Sequence, residues 1–70
     1  MKVEISGWKK GFQTVSAIRL LMDYGIGLKE SKEKIDLLLD GKIIHLELNI
    51  KDFQLFMGKM EELGGIVTSE

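Results

Sequence analysis

Apolar and polar residues alternate in three short segments of the chain, and this period of two predicts half-buried β-strands. The predicted strands cover Lys2–Ser6, Lys42–Leu48 and Ile66–Ser69. In the first strand, Val3 and Ile5 share the side that we expect to face a core.

Two segments between the first two strands repeat apolar residues at helical spacing. The first helix is predicted from about Thr14 to Tyr24, after a turn-prone connection at residues 7–11, and Gly25 is placed to end it in a left-handed conformation. The second helix begins after Gly27. Its apolar positions are Leu28, Ile35, Leu38 and Leu39.

A third helix precedes the last strand. Asn49, followed three residues later by Asp52, resembles an N-terminal cap, because Asn accepts a hydrogen bond from a free backbone N–H. We therefore expect the helix to begin there and to end at Gly64 and Gly65. Its apolar stripe comprises Phe53, Phe56, Met57, Met60 and Leu63.

The order β-α-α-β-α-β predicts an α+β fold, with a small three-stranded, mainly antiparallel sheet and three helices on one face. Residues 1–70 form one domain, since the length leaves room for one core. A composition of 44% hydrophobic and 30% charged residues is typical of globular proteins. With no cysteine, the chain has no disulfides and no thiolate metal sites.

The charge balance gives no global attraction to polyanions. Ten Lys and Arg residues against eleven Asp and Glu residues leave a net charge of −1, which does not favour nucleic acid or an anionic membrane. No apolar run approaches the roughly 20 residues of a membrane span, and the start of the chain lacks a signal-peptide core. We therefore expect a cytoplasmic protein that does not bind membranes.

Residues for catalysis or metal binding are sparse. The single histidine, His45, lies within a predicted strand on the side opposite Leu46, where it is expected to be solvent-exposed. The serines stand in no motif that would activate a hydroxyl, and no metal-ligand spacing is present. The sequence therefore predicts no enzyme activity, no cofactor and no metal site.

Two local motifs permit a functional and a structural interpretation. The glycines in Gly25-Ile26-Gly27-Leu28-Lys29 suggest a phosphate loop, but the full P-loop pattern is missing and a turn between helices explains them. Trp8, Lys9, Lys10 and Phe12 form a basic-aromatic cluster of the kind that stacks on single-stranded nucleic acid. The alternative, which we favour, is a tryptophan that covers the sheet edge or the third helix.

The first predicted helix has more apolar surface than packing on one layer requires. At about 100° per residue its apolar arc spans roughly 220°, against about 100° for an ordinary surface helix. Such a helix is either sandwiched or carries a second apolar patch for a partner. Periodicity leaves open which half of the arc is buried. The arc contains Val15, Ala17, Ile18, Leu20, Leu21, Met22 and Tyr24.

Three blocks of the sequence resemble a known family. They are Ala17-Ile18-Arg19-Leu20-Leu21, Gly25-Ile26-Gly27-Leu28-Lys29-Glu30-Ser31-Lys32 and Met60-Glu61-Glu62-Leu63-Gly64-Gly65-Ile66-Val67. They resemble the C-terminal domain of the bacterial large-subunit ribosomal stalk proteins, the L-seven/L-twelve family. The similarity extends over essentially the whole chain, and that domain has the order β-α-α-β-α-β.

The resemblance implies a non-enzymatic function in translation. In that family the domain recruits translational GTPases through the first helix and the start of the second. It implies a buried half of the arc at Ala17, Leu20, Leu21 and Tyr24. The partner-binding residues that we expect are Val15, Ile18, Arg19, Met22, Gly27, Leu28, Lys29, Glu30 and Lys32.

The chain also differs from the family. Thr14 and Met22 stand where the family usually has basic residues that meet an acidic partner. The family's dimerising N-terminal domain and flexible hinge have no counterpart in these residues. We therefore expect a fragment, a stand-alone relative or a mobile-element protein. The alternative function is a homodimeric regulatory protein in which the same patch closes the dimer.

Overall fold

The computed structural model describes residues 2–48 and 51–69, without the side chain of residue 69. Their order confirms the predicted β-α-α-β-α-β arrangement of an α+β fold. The elements are β1 (Lys2–Trp8), α1 (Thr14–Asp23), α2 (Leu28–Leu39), β2 (Ile44–Glu47), α3 (Phe53–Glu62) and β3 (Gly65–Ser69).

The sheet has the strand order β2-β1-β3, and both pairings are antiparallel. Side chains alternate between the two faces of the sheet along each strand, and the helices cover one of these faces. His45, Glu47 and Thr68 lie exposed on the other face. The period of two in the sequence therefore predicted the buried face correctly. The buried strand residues are Val3, Ile5, Ile44, Leu46 and Val67.

Strand β1 is longer than predicted, and its pairing with β3 shifts near its end. Ile5 lies opposite Val67, whereas Gly7 lies opposite Ile66, so two steps along β1 match one step along β3. This is the geometry of a β-bulge, which reverses the side to which the following side chains point. The predicted connection at residues 7–11 is therefore wrong for its first two residues, which belong to the strand.

The bulge turns Trp8 toward the helices. Trp8 lies opposite Gly65, whose missing side chain would come within 2.8 Å of Met60 Cγ in α3. The indole N–H donates a hydrogen bond to the carbonyl of Leu38, near the end of α2, over 3.0 Å. The same carbonyl also accepts a 3.0 Å hydrogen bond from the N–H of Gly41, so the indole adds a second bond to the C-terminal end of α2.

The core lies between the sheet and the helices. Helix α2 packs against β1 and β2, α3 packs against β3, and α1 packs against α2 and, less extensively, α3. Tyr24, which follows α1, makes an edge-to-face contact with Phe56 of α3, with ring centroids 5.0 Å apart. The largest fully buried side chains on the helices are Leu21, Ser31, Ile35, Leu38, Phe56 and Met60.

The helix ends agree with the sequence in part. Gly25 and Gly64 adopt φ values of +94° and +104° after α1 and α3, the left-handed conformation expected of terminating glycines. Helix α3 begins later than predicted, at Phe53. Asp52 is its N-cap and accepts a 3.1 Å hydrogen bond from the N–H of Leu55. Asn49, the predicted cap, lies outside the described residues.

None of the helices in the described part of the chain has the length and apolarity needed to cross a membrane.

Candidate functional site: the face formed by α1 and α2

Helix α1 divides its apolar residues between the core and solvent. Ala17, Leu20 and Leu21 are at most 7% exposed and face the interior. On the other side, Val15 is 69% exposed and Met22 is 42% exposed. The helix is therefore not sandwiched, and part of its apolar arc forms a surface.

Ile18 and Tyr24 lie at the two borders of this division. Both are partly buried and pack against the core. Ile18 shares a stripe with Val15 and Met22, at spacings of three and four residues. The exposed stripe of α1 is thus continuous from Val15 to Met22, with Ile18 joining it to the core.

The short link after α1 brings the start of α2 next to the end of α1. The N–H of Ile26 donates a hydrogen bond to the carbonyl of Leu21 over 3.1 Å. The hydroxyl of the buried Ser31 donates to the carbonyl of Ile26 over 3.3 Å. These bonds tie the link to both helices, so that residues from the two helix ends contribute to one surface.

We call this surface the α1–α2 face. The sequence proposed all of its members; the structure leaves them exposed except for the half-buried Ile18. They are Val15, Ile18, Arg19, Met22, Gly27, Leu28, Lys29, Glu30 and Lys32.

The contribution of α2 to the α1–α2 face is uneven. Leu28, 49% exposed, and Lys32 are four residues apart and lie on the same side of α2. Glu30 lies roughly 160° around the helix from Lys32, at about 100° per residue. Glu30 therefore stands on the far side of α2, and the central part of the face combines Leu28 and Lys32 with the stripe of α1.

The α1–α2 face has a local excess of positive charge. Arg19, Lys29 and Lys32 carry three cations, and Glu30 and Asp23 carry two carboxylates, a formal excess of one, whereas the whole chain carries −1. Asp23 lies four residues after Arg19 on the same side of α1, and all five charged side chains are exposed. An acidic partner surface would therefore be attracted to this face although the protein as a whole is slightly acidic.

The glycines of the link are explained by the fold. Gly25 has the positive φ that ends α1, and Gly27 is the N-cap residue of α2 in an extended conformation. No atom lies within 4 Å of the position that a Cβ would occupy on Gly27. The structure therefore agrees with a turn between helices, and Gly27 leaves open space on the α1–α2 face.

His45 lies on the exposed side of the sheet, as predicted. Its side chain is 57% exposed, and its Nδ1 is 4.0 Å from Oε1 of Glu4 on the neighbouring strand. Thr68 donates a 3.4 Å hydrogen bond to the same carboxylate from β3. In residues 2–48 and 51–69 no three His, Cys, Asp or Glu side chains come together in a way that could hold a metal ion.

The basic-aromatic cluster is tied to the fold. Trp8 is 41% exposed, its N–H is bonded to Leu38, and its ring stacks on Phe12 with a centroid distance of 6.3 Å. A base that stacks on this indole has to compete with those contacts. The tryptophan side chain therefore mainly packs over the C-terminal end of α2.

The structure also contains features that the sequence reasoning missed. A shallow groove of about 350 Å³ runs between α1 and α3, and a hollow of about 380 Å³ lies along β2. Of the groove residues, Arg19 is among those predicted from the sequence to bind a partner. Leu55 and Gly58, both exposed on α3, were also missed, because they lie off the apolar stripe of that helix. The groove is lined by Ser16, Arg19, Leu20, Asp23, Lys59, Glu62 and Leu63.

Comparisons of the chain with models of known protein families, with curated proteins and with solved structures gave no match.

Proposed function

We propose that the protein is a non-enzymatic binding module that docks a protein partner on the α1–α2 face. The observation that carries this proposal is the exposure of Val15, Met22 and Leu28, at 69%, 42% and 49%. The first two lie along one stripe of α1, and Leu28 begins α2 after the short link that follows α1. Large apolar side chains grouped in this way are typical of interaction sites.

The partner that we propose is a translational GTPase that presents an acidic surface. The resemblance of residues 25–32 to the ribosomal stalk family supports this choice, as does the positive charge of the face. In this account the protein acts in the cytoplasm, in translation.

The apolar stripe and the charged rim have different roles in the proposed complex. Val15, Met22 and Leu28 lose contact with water on docking, and such anchors supply most of the binding free energy. Arg19, Lys29 and Lys32 remain near the rim, where charges mainly raise the association rate and make it depend on salt. Gly27 allows the partner's backbone to approach closely.

Replacement of the exposed anchors tests the proposal. We expect Val15→Asp and Met22→Asp each to weaken the binding of a purified translational GTPase by roughly tenfold or more, because each places a charge in an apolar contact. Binding is measured by titration calorimetry, and circular dichroism checks that both variants are folded. Ile18→Asp is less suitable, because Ile18 also packs on the core.

Ile43→Asp is the matched control. Ile43 is 54% exposed, and it lies in the connection between α2 and β2, so the variant adds the same charge on another part of the surface. We expect it to bind the GTPase like the wild type. Equal affinities for the wild type and the variant with both Val15→Asp and Met22→Asp would refute the proposed function.

A further inference from the structure

Ser31 is the one buried polar residue in the described part of the chain. Its hydroxyl donates a 3.3 Å hydrogen bond to the carbonyl of Ile26, the residue just before the N-cap of α2. Alanine would fill nearly the same space, favours helices more than serine does and brings no polar group into the core. Packing and helix propensity therefore do not account for a serine at this position, whereas the bond to Ile26 does.

Ile26 connects the two helices through both of its backbone polar groups. Its N–H donates to the carbonyl of Leu21 over 3.1 Å, and the N–H of Gly25 donates to that of Met22 over 3.0 Å. This pair of bonds is a Schellman motif, which fixes the end of α1. On the other side, the carbonyl of Ile26 accepts the hydroxyl of Ser31. The same residue thus caps α1 and holds α2.

The first turn of α2 has few other supports. The N-cap residue Gly27 has no side chain that could accept from the free N–H groups, and the side chains of residues 28–30 are exposed. In many helices an apolar contact between the residue before the N-cap and the fourth helical residue fixes the angle at which the chain enters. Ile26 and Ser31 occupy those two positions, so that the hydroxyl bond replaces the apolar contact.

This turn contributes to the α1–α2 face, because Leu28 and Lys29 are its first two residues. Helix ends that are weakly held open locally at little cost in free energy. Opening of this turn would separate Leu28 from the stripe of α1, whose end the Schellman motif fixes. Ordering the turn again on docking would cost part of the binding free energy.

We propose that Ser31 is a positioning residue of the α1–α2 face, whose hydroxyl holds the first turn of α2 and with it Leu28 in place beside α1. Ser31 acts through Ile26 and does not touch a partner, because its side chain is fully buried. The inference rests on the proposed function, since it concerns the same face. The order of the turn can nevertheless be measured without any partner.

Nuclear magnetic resonance relaxation and amide hydrogen exchange of Ser31→Ala test the positioning role in the protein alone. We expect the backbone order parameters of Leu28 and Lys29 to fall below the wild-type values, and the amide at position 31 to exchange several-fold faster. In the wild type that amide donates a 2.8 Å bond to the carbonyl of Gly27. The amide of Ile26 should keep its wild-type exchange rate, because it is bonded to α1.

Titration calorimetry with a purified translational GTPase measures the effect on binding. We expect Ser31→Ala to bind about three- to tenfold more weakly than the wild type, the equivalent of one hydrogen bond. Ser6→Ala is the chemically matched control, since it removes an exposed hydroxyl from β1. Ile44→Val is the control for stability, because it shortens a buried side chain of β2 and lowers the urea midpoint away from the face. Both controls should bind like the wild type.

Wild-type order parameters and exchange rates in Ser31→Ala would overturn the inference, and so would wild-type affinity of this variant for a GTPase that the wild type binds. An equal loss of affinity with Ile44→Val would also overturn it, because the effect would then follow general stability. A wild type that binds no GTPase would refute the proposed function alone, since relaxation and exchange still decide whether Ser31 holds the turn.

Discussion

At the scale of single residues, the glycines of this chain fall into two groups. Gly25 and Gly64 have positive φ values, and Gly65 lies so close to Met60 that a Cβ would approach its Cγ to 2.8 Å. Gly58 has neither constraint. The two groups are expected to respond in opposite directions to the same substitution.

Gly58→Ala should stabilise the monomer by about 0.5–1 kcal/mol, because alanine loses less backbone entropy in a helix and meets open space here. Gly65→Ala should destabilise it by about 1–3 kcal/mol, since Met60 has to move. Urea denaturation at low protein concentration measures both free energies of unfolding. A loss of stability with Gly58→Ala would show that the glycine serves the fold of the single chain.

At the scale of elements, α1 shows what the helical period determines and what it leaves open. The period predicted a broad apolar arc but not its buried half, since that half depends on packing against α2 and α3. The structure buries Ala17, Leu20 and Leu21 and exposes Val15. The resemblance to the stalk family implies this division, whereas the helical period alone does not.

The two halves of α1 should therefore differ in their effect on stability. Leu21→Ala should lower the free energy of unfolding by about 2–5 kcal/mol, because Leu21 is fully buried. Val15→Ala should change it by no more than about 0.5 kcal/mol, because Val15 is 69% exposed. Thermal denaturation of both variants measures the contrast. Similar losses at the two positions would contradict the division of the helix into a core side and a surface side.

The strands and helix ends show a second limit of local patterns. The six elements and the buried side of the sheet could be predicted, since they depend on periods of two and 3.6 residues. The bulge after Ile5 could not, because it arises from the pairing of β1 with a strand about sixty residues away. The position of Trp8 follows from that bulge. The start of α3 was misplaced because Asn49 and Asp52 are both good caps in sequence, and only the structure identifies Asp52.

At the scale of the whole molecule, part of the apolar surface is not used in the core. A domain of 70 residues has a thin margin of buried surface, yet Val15, Met22, Leu28 and Leu55 are between 42% and 69% exposed. The first three lie on the α1–α2 face, and Leu55 lies on α3. The groove between α1 and α3 borders that face at Arg19. The exposed apolar residues of α1 and α2 form the surface that we propose for a partner.

A partner that docks on the α1–α2 face would change the surroundings of the residues on that face before those of any others. A nuclear magnetic resonance titration of the isotope-labelled protein with a purified translational GTPase follows this residue by residue. We expect the amide signals of Val15, Met22 and Leu28 to shift or broaden first, and the effect to weaken as salt is added. Changes confined to Trp8 and the lysines that follow it, or no change in α1 at all, would contradict docking on this face.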